Sequence, residues 1–194
     1  MQTLTLLPKS SALVLIDLQK GITGFPCAPR PGTEVVRNAT SLANRFREIG
    51  APVFLVRAAF PIGEAALKLI TDAQWPLPAS EPEGWLELAV EPHQQDILIL
   101  KRHWGAFYGT ELDLQLRRRR IETVVLGGIA TNFGVESTAR NAYELGYNLV
   151  FAEDAMGALT PADHEFAIQT IFPRLGRVRA TPEIVQALGS HPQD

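Results

Sequence analysis

A doubly wound α/β fold, with a mostly parallel six-stranded sheet covered by helices on both faces, is what this sequence predicts. Three observations lead there. Six short apolar runs are continuous rather than alternating, as strands buried on both faces require. Helical stretches with one apolar stripe fall between them. Capping and breaking residues mark the changeovers.

Residues 12–16 read Ala-Leu-Val-Leu-Ile and stop at Asp17, giving the first strand. Val35, Ala39, Leu42, Phe46 and Ile49 then recur at spacings of four and three before Gly50, which predicts a helix with a glycine stop. Residues 53–56 make the second strand. The rhythm breaks across residues 58–95, a stretch with several prolines, Trp75, Trp85 and one short helical candidate at 64–70. It reads as a long insertion that forms a lid or an oligomer contact. Residues 97–100 are the third strand. Thr110 can cap a helix through Leu112, Leu114 and Leu116, with Asp113 at the capping-box position. Residues 124–126 form the fourth strand, and the glycine-rich turn after it opens a helix over 135–145. Residues 149–152 form the fifth strand, and residues 177–180 the sixth and least apolar. Thr160-Pro161 and Thr181-Pro182 each place a capping residue before a proline suited to the first helical turn. No linker or repeat interrupts this pattern, so residues 1–194 are predicted to form a single domain.

Composition narrows the function classes. Hydrophobic residues make up 46% of the chain and charged residues 20%, an ordinary globular balance. A net charge of -3 gives no field to hold nucleic acid or an anionic membrane. The one basic run, Arg117-Arg118-Arg119-Arg120, follows a helical stretch and reads as a solvated terminus that complements the helix dipole. Cys27 is the sole cysteine, which excludes an intrachain disulfide and a cysteine-based zinc cluster. Residues 1–8 lack the basic region and apolar stretch of a signal peptide, and no run of about 18 apolar residues exists. A cytoplasmic protein with a small-molecule substrate, and neither nucleic-acid nor membrane partners, is expected.

In open parallel sheets, ligands bind beyond the carboxyl ends of the strands, so the residues after each apolar run are the first functional candidates. Asp17 follows the first run, Arg57 the second and Lys101 the third. The fourth leads into Gly127-Gly128-Ile129-Ala130-Thr131-Asn132-Phe133-Gly134, whose backbone N–H groups at a helix start suit a developing negative charge. Singly, such an aspartate caps a turn and such a lysine is solvated. Together they place an acid, a base and an anion-binding turn on one crevice. Phe25, Trp104 and Phe107 are default core residues that could also line a pocket and desolvate Asp17. Arg57 or Arg102 could pair a substrate carboxylate.

The segments Val14-Leu-Ile-Asp17-Leu-Gln19, Lys101-Arg-His-Trp-Gly-Ala-Phe107 and Gly128-Ile-Ala-Thr-Asn-Phe-Gly-Val-Glu-Ser-Thr-Ala-Arg140 resemble the signature stretches of the isochorismatase-like hydrolases. The third is the most specific, and the similarity extends through Glu153-Asp154-Ala155. The resemblance implies a hydrolase with Asp17 as acid/base, Lys101 beside it, a cis peptide between Ile129 and Ala130, and the N–H groups of Ala130 and Gly134 as donors to the reacting centre. Asn132 falls in the same turn and is carried as a substrate-binding candidate. It also implies a homo-oligomer, to which the insertion offers apolar surface.

Two departures from the family pattern matter. Gly134 occupies the position of the nucleophilic cysteine of the amidase branch, and glycine has no side chain to form a covalent intermediate. Isochorismatases proper also carry glycine there, and they need an acid rather than a protein nucleophile. Cys27, in a proline-rich loop, reads as an incidental thiol. After the second strand, Arg57-Ala58-Ala59-Phe60-Pro61 offers no metal ligand where nicotinamidases place an Asp-x-His set, and Ala58 stands where isochorismatases carry a substrate-binding glutamine. His93, His164 and His191 read as surface residues and His103 as near the site, so no metal or cofactor is expected. The alternative is a non-catalytic ligand- or partner-binding descendant of the same fold.

Overall fold

The computed structural model describes residues 4–60, 70–73 and 80–189. The 64–70 helical candidate falls almost entirely on residues outside these, and Trp75 and His191 lie outside them too. In chain order the elements are β1 (Ser11–Ile16), α1 (Lys20–Thr23), α2 (Gly32–Glu48), β2 (Val53–Ala58), β3 (Ile97–Lys101), α3 (Leu112–Arg118) and β4 (Thr123–Ile129). A π-helical turn (Thr131–Val135) leads into α4 (Glu136–Glu144), β5 (Asn148–Gly157) and α5 (Pro161–Phe166). A second π-helical stretch (Ala167–Ile171), α6 (Phe172–Leu175), β6 (Arg177–Arg179) and α7 (Thr181–Ala187) complete the described chain.

The six strands form one sheet in the order β3-β2-β1-β4-β5-β6, and every pair is parallel. The chain winds outward from β1 in one direction, then returns to β4 and winds outward in the other. That reversal opens a crevice at the carboxyl ends of β1 and β4, where open α/β sheets bind ligands.

Strand alternation divides the core in two. Leu13 and Leu15 of β1, with Val53, Leu55, Val125 and Val150, pack on the stripe Val35, Ala39, Leu42 and Phe46 of α2 and on Ile184 of α7. Ala12, Val14 and Ile16, with Phe54, Val56, Ile99 and Leu126, pack on α3 and α4, and Phe151 stacks on Phe172 of α6 with ring centroids 4.0 Å apart. The expected two-sided burial holds for β1 and fails at the edge strand β3. There Ile99 is buried while Leu98 and Leu100 are 43% and 36% exposed.

The start of α5 follows the sequence reading. Thr160 accepts the N–H of Asp163 and is followed by Pro161. Thr110 accepts the N–H of Leu112 from one residue further out, since the cap position of α3 is held by Glu111. Two caps differ because better partners are available. Asp113 accepts the Tyr147 hydroxyl at 2.7 Å, and Thr181 spends both its N–H and its hydroxyl on Asp154, each at 2.7 Å, leaving Ala180 as the cap residue of α7.

The described part of the insertion is anchored, not splayed. Gln19 is fully buried; its amide donates to the carbonyls of Trp85 (2.7 Å) and Ala58 (3.2 Å) and accepts the Ala58 N–H at 2.7 Å. The Trp85 indole donates to the same Ala58 carbonyl at 2.9 Å and its ring meets Phe60 edge-on. A Cβ on Gly21 would come within 2.6 Å of that ring, so glycine is what lets the indole close down.

Candidate active site

Asp17 lies one residue past β1, where the backbone turns out of the strand with φ of 55°. Aspartate tolerates this left-handed conformation better than most residues. Its N–H still donates to the Val56 carbonyl at 2.9 Å. Lys101 ends β3, two strands away, and extends past the end of β2, where its register partner is the small Ala58. Its ammonium meets the Asp17 Oδ2 at 2.7 Å and donates to the carbonyls of His103 (3.1 Å) and Trp104 (2.8 Å). Three donors meet three acceptors, so the lysine is saturated by the protein itself.

Asp17 is not saturated. Its Oδ1 is buried and has no hydrogen-bond partner. Burial pushes its carboxyl up from 3.8 to about 6, outweighing the opposing pull of the Lys101 charge and hydrogen bond. At neutral pH the group therefore exchanges between acid and carboxylate.

The third component arrives from β4. The Ile129–Ala130 peptide is cis, and the Ala130 carbonyl accepts N–H groups from Phe133 and Val135, both at 3.2 Å, with Gly134 between them. Thr138 fixes the turn from below, donating to the Gly134 carbonyl at 2.6 Å while accepting the Ala106 N–H. A Cβ built on Gly134 would lie 3.1 Å from Asp17 Oδ2 and 3.4 Å from Lys101 Nζ. The glycine thus faces the ion pair and presents no side chain to it. In the same turn the buried Oδ1 of Asn132 is also without a partner.

The other expected site residues separate. Trp104 is 62% exposed, contributes its carbonyl to Lys101, and meets Phe133 edge-on at 4.9 Å, which makes an aromatic lip beside the turn. Phe25 is 41% exposed in the loop after α1. Phe107 departs from the pocket-lining expectation: it is buried in the core beside Tyr147, because the loop after Lys101 turns inward to meet α3. Arg57 departs as well. Strand parity places it with Leu55 on the α2 side of the sheet, where it donates to the Leu86 carbonyl at 3.3 Å, its Nε stays buried without a partner, and it lines a separate groove of 540 Å³ with Trp85 and Leu98.

Cys27 packs against Gly157, where an added Cβ would come within 2.3 Å of its sulfur, and burial raises its thiol pKa. His93 is exposed and His103 pairs edge-on with Tyr108. Among the described residues, no three His, Cys, Asp or Glu side chains gather as a metal site. No described helix is long and apolar enough to cross a membrane.

His164 corrects the sequence reading outright. It is 3% exposed, and its Nδ1 lies 2.9 Å from the hydroxyl of Thr131, itself fully buried at the start of the π-helical turn. The Pro-Ala-Asp-His-Glu-Phe stretch looks like solvated surface. The available signal was helical phase, since Pro161 fixes the start and His164 then shares a face with the buried Ala167.

A sequence model of the isochorismatase domain matches residues 11–183. YecD, an uncharacterised isochorismatase family protein of Escherichia coli O157:H7, is 54% identical over 184 residues, covering 93% of this chain and 97% of its own. The solved structure of an isochorismatase family protein from Burkholderia thailandensis superposes with a TM-score of 0.91 at 44% identity, covering 97% of this chain and all of that one. That of N-carbamoylsarcosine amidase from Thermoplasma acidophilum superposes at 0.71 with 25% identity, over 89% of this chain and 96% of that one.

Proposed function

Because the chain belongs to the isochorismatase family of hydrolases, we propose that it hydrolyses a small metabolite without a covalent cysteine intermediate, using Asp17 as the general acid/base. One observation carries this reading: the position that faces the Asp17–Lys101 pair is a glycine, while the carboxylate keeps one buried oxygen free of any protein partner. The lysine cannot serve the substrate, since its three donors are taken. The free carboxyl oxygen can.

In the proposed reaction protonated Asp17 gives its proton to the substrate, a water oxygen bonds to the carbon that becomes electron-poor, and the bond to the leaving group breaks as that group takes up the remaining hydroxyl proton of the adduct. The proton lost by that water restores the carboxyl group. Ala130 and Gly134 supply backbone N–H groups to the developing negative charge, and Trp104 and Asn132 line the approach. A carboxyl near 6 suits this work because an appreciable fraction holds its proton near neutral pH while the carboxylate remains accessible. The reading needs no metal, since Arg57-Ala58-Ala59-Phe60, at the end of β2 and just past it, offers no ligand. The working form is a cytoplasmic homo-oligomer.

The solved amidase is named for N-carbamoylsarcosine, and the resemblance to isochorismatases proper implies cleavage of an enol ether. Small carboxamides, ureido acids and enol ethers are accordingly the substrates to screen, by thermal shift and then by turnover with and without chelator. Asp17→Asn keeps the shape and removes the titrating proton, so kcat/KM should fall by about 10²-fold to 10⁴-fold. Full activity in that variant would overturn the assignment.

A further inference from the structure

We propose that His164 is a positioning residue, which holds the catalytic turn through the Thr131 hydroxyl. This rests on the role given above to Asp17 and the turn.

The geometry is specific. Thr131 directly follows Ala130 and begins the π-helical turn that carries Gly134 to the Asp17–Lys101 pair. Its side chain points away from solvent, and His164 reaches it from α5, a different element packed on the same turn. The phase of α5 is set independently by the Thr160 cap and Pro161, so the imidazole is delivered to Thr131 by a fixed helix start, not by a flexible loop. Thr138 holds the far end of the turn at the Gly134 carbonyl. The two hydroxyls therefore pin the turn at both ends, Thr138 held by the backbone N–H of Ala106 and Thr131 by the side chain of His164.

A fold has no need of this pair. Two buried polar groups that satisfy each other add little net stability over two apolar groups of the same size, yet they impose a direction that apolar contacts do not. Burial, assisted by the charge of Arg30, lowers the His164 pKa to about 4, so the imidazole is neutral in the working range and acts as a fixed hydrogen-bond partner. It touches no reacting atom, and its effect reaches the chemistry through the placement of the backbone N–H groups. A misplacement of about 1 Å is enough to cost on the order of 10²-fold in rate.

The test uses the full chain and the substrate found by the screen. His164→Leu removes the hydrogen bond at similar volume, His164→Gln offers a replacement, and Thr131→Val removes the partner. His164→Leu should lower kcat by about tenfold to 10²-fold with KM within about threefold, and His164→Gln should recover part of the loss. Thr131→Val and His164→Leu together should cost no more than the worse of the two, as for groups acting through one bond. In ¹⁵N-labelled protein the Gly134 and Ala130 amides should shift in both single variants, a readout that needs no substrate. If Asp17→Asn abolishes turnover while folded His164→Leu or Thr131→Val keeps the wild-type kcat and leaves the Gly134 amide in place, His164 has no positioning role. If His164→Leu fails to fold, Thr131→Val decides alone. If Asp17→Asn is fully active, the site reading itself falls, and the amide shifts still report on the Thr131–His164 link.

Discussion

Lys101 and Arg57 stand on adjacent strands, each near a carboxyl end, and the two regions they occupy differ in kind. Lys101 projects toward the α4 side, finds a buried carboxylate and two carbonyls, and has no donor left over. Arg57 projects toward the α2 side, donates to one carbonyl, and lines a groove rimmed by Glu81, Glu87 and Glu91. The difference is one of parity. In the parallel register Arg57 lies opposite Leu100, while Lys101 lies opposite Ala58, so two cations near the same sheet edge leave on opposite faces. Being last in a strand places a residue near the crevice. The pleat decides whether it enters.

That contrast can be broken most directly by paired substitutions. Asp17→Asn should lower kcat/KM by about 10²-fold to 10⁴-fold. Arg57→Met, although equally near a strand end, should change it by less than about threefold, since that side chain faces the other groove. Equal losses in steady-state assays would erase the distinction between the two regions.

Next in size is Lys101→Met. It removes the charge that holds the Asp17 proton affinity down and orphans two carbonyls. Turnover should fall by about tenfold or more, and the pH at which kcat/KM declines should move above 6. A pH–rate profile measures both, and an unmoved limb would show that the ammonium does not set the acid.

The pH dependence of stability follows from the same group. The folded carboxyl is raised from 3.8 to about 6, so its stabilising contribution is fully present below about 4 and is lost as pH rises through 6. The loss amounts to about 3 kcal/mol at about 1.4 kcal/mol per pKa unit. Denaturation from pH 4 to 8 should show Asp17→Asn gaining on the wild type by that order. A constant difference would place the carboxyl at its ordinary value. The smallest effect belongs to Cys27, packed against Gly157: Cys27→Ser and iodoacetamide should each leave the rate within about twofold, whereas thiol-dependent loss would return covalent chemistry to consideration.

Much of this was legible in the sequence because strand ends and helix caps are local. The runs ending at Asp17, Lys101 and the glycine-rich turn fixed the three walls of the crevice, and the fold order brought them together. What was not legible depends on packing between distant elements. The run 97–100 reads like the others, and nothing in its letters says that it forms an edge with Leu98 and Leu100 exposed. His164 lies among polar neighbours, and its burial exists only because α5 docks on the turn. Arg57 was misplaced by proximity along the chain, which does not specify the face, and for Phe107 the core reading holds over the pocket one. The desolvation of Asp17 outweighing Lys101 is a balance of burial and charge, and it required three dimensions.

Gly134 constrains how the chain could change. A Cβ there would lie 3.0 Å from the Ile16 methyl Cγ2 and 3.1 Å from the Asp17 carboxylate, each closer than a methyl group comfortably tolerates. A side chain at this position therefore asks Ile16 and the Asp17 carboxylate each to give way by a few tenths of an ångström. Positions 16 and 134 are thus coupled through one contact, and variant libraries seeking covalent chemistry should randomise them jointly.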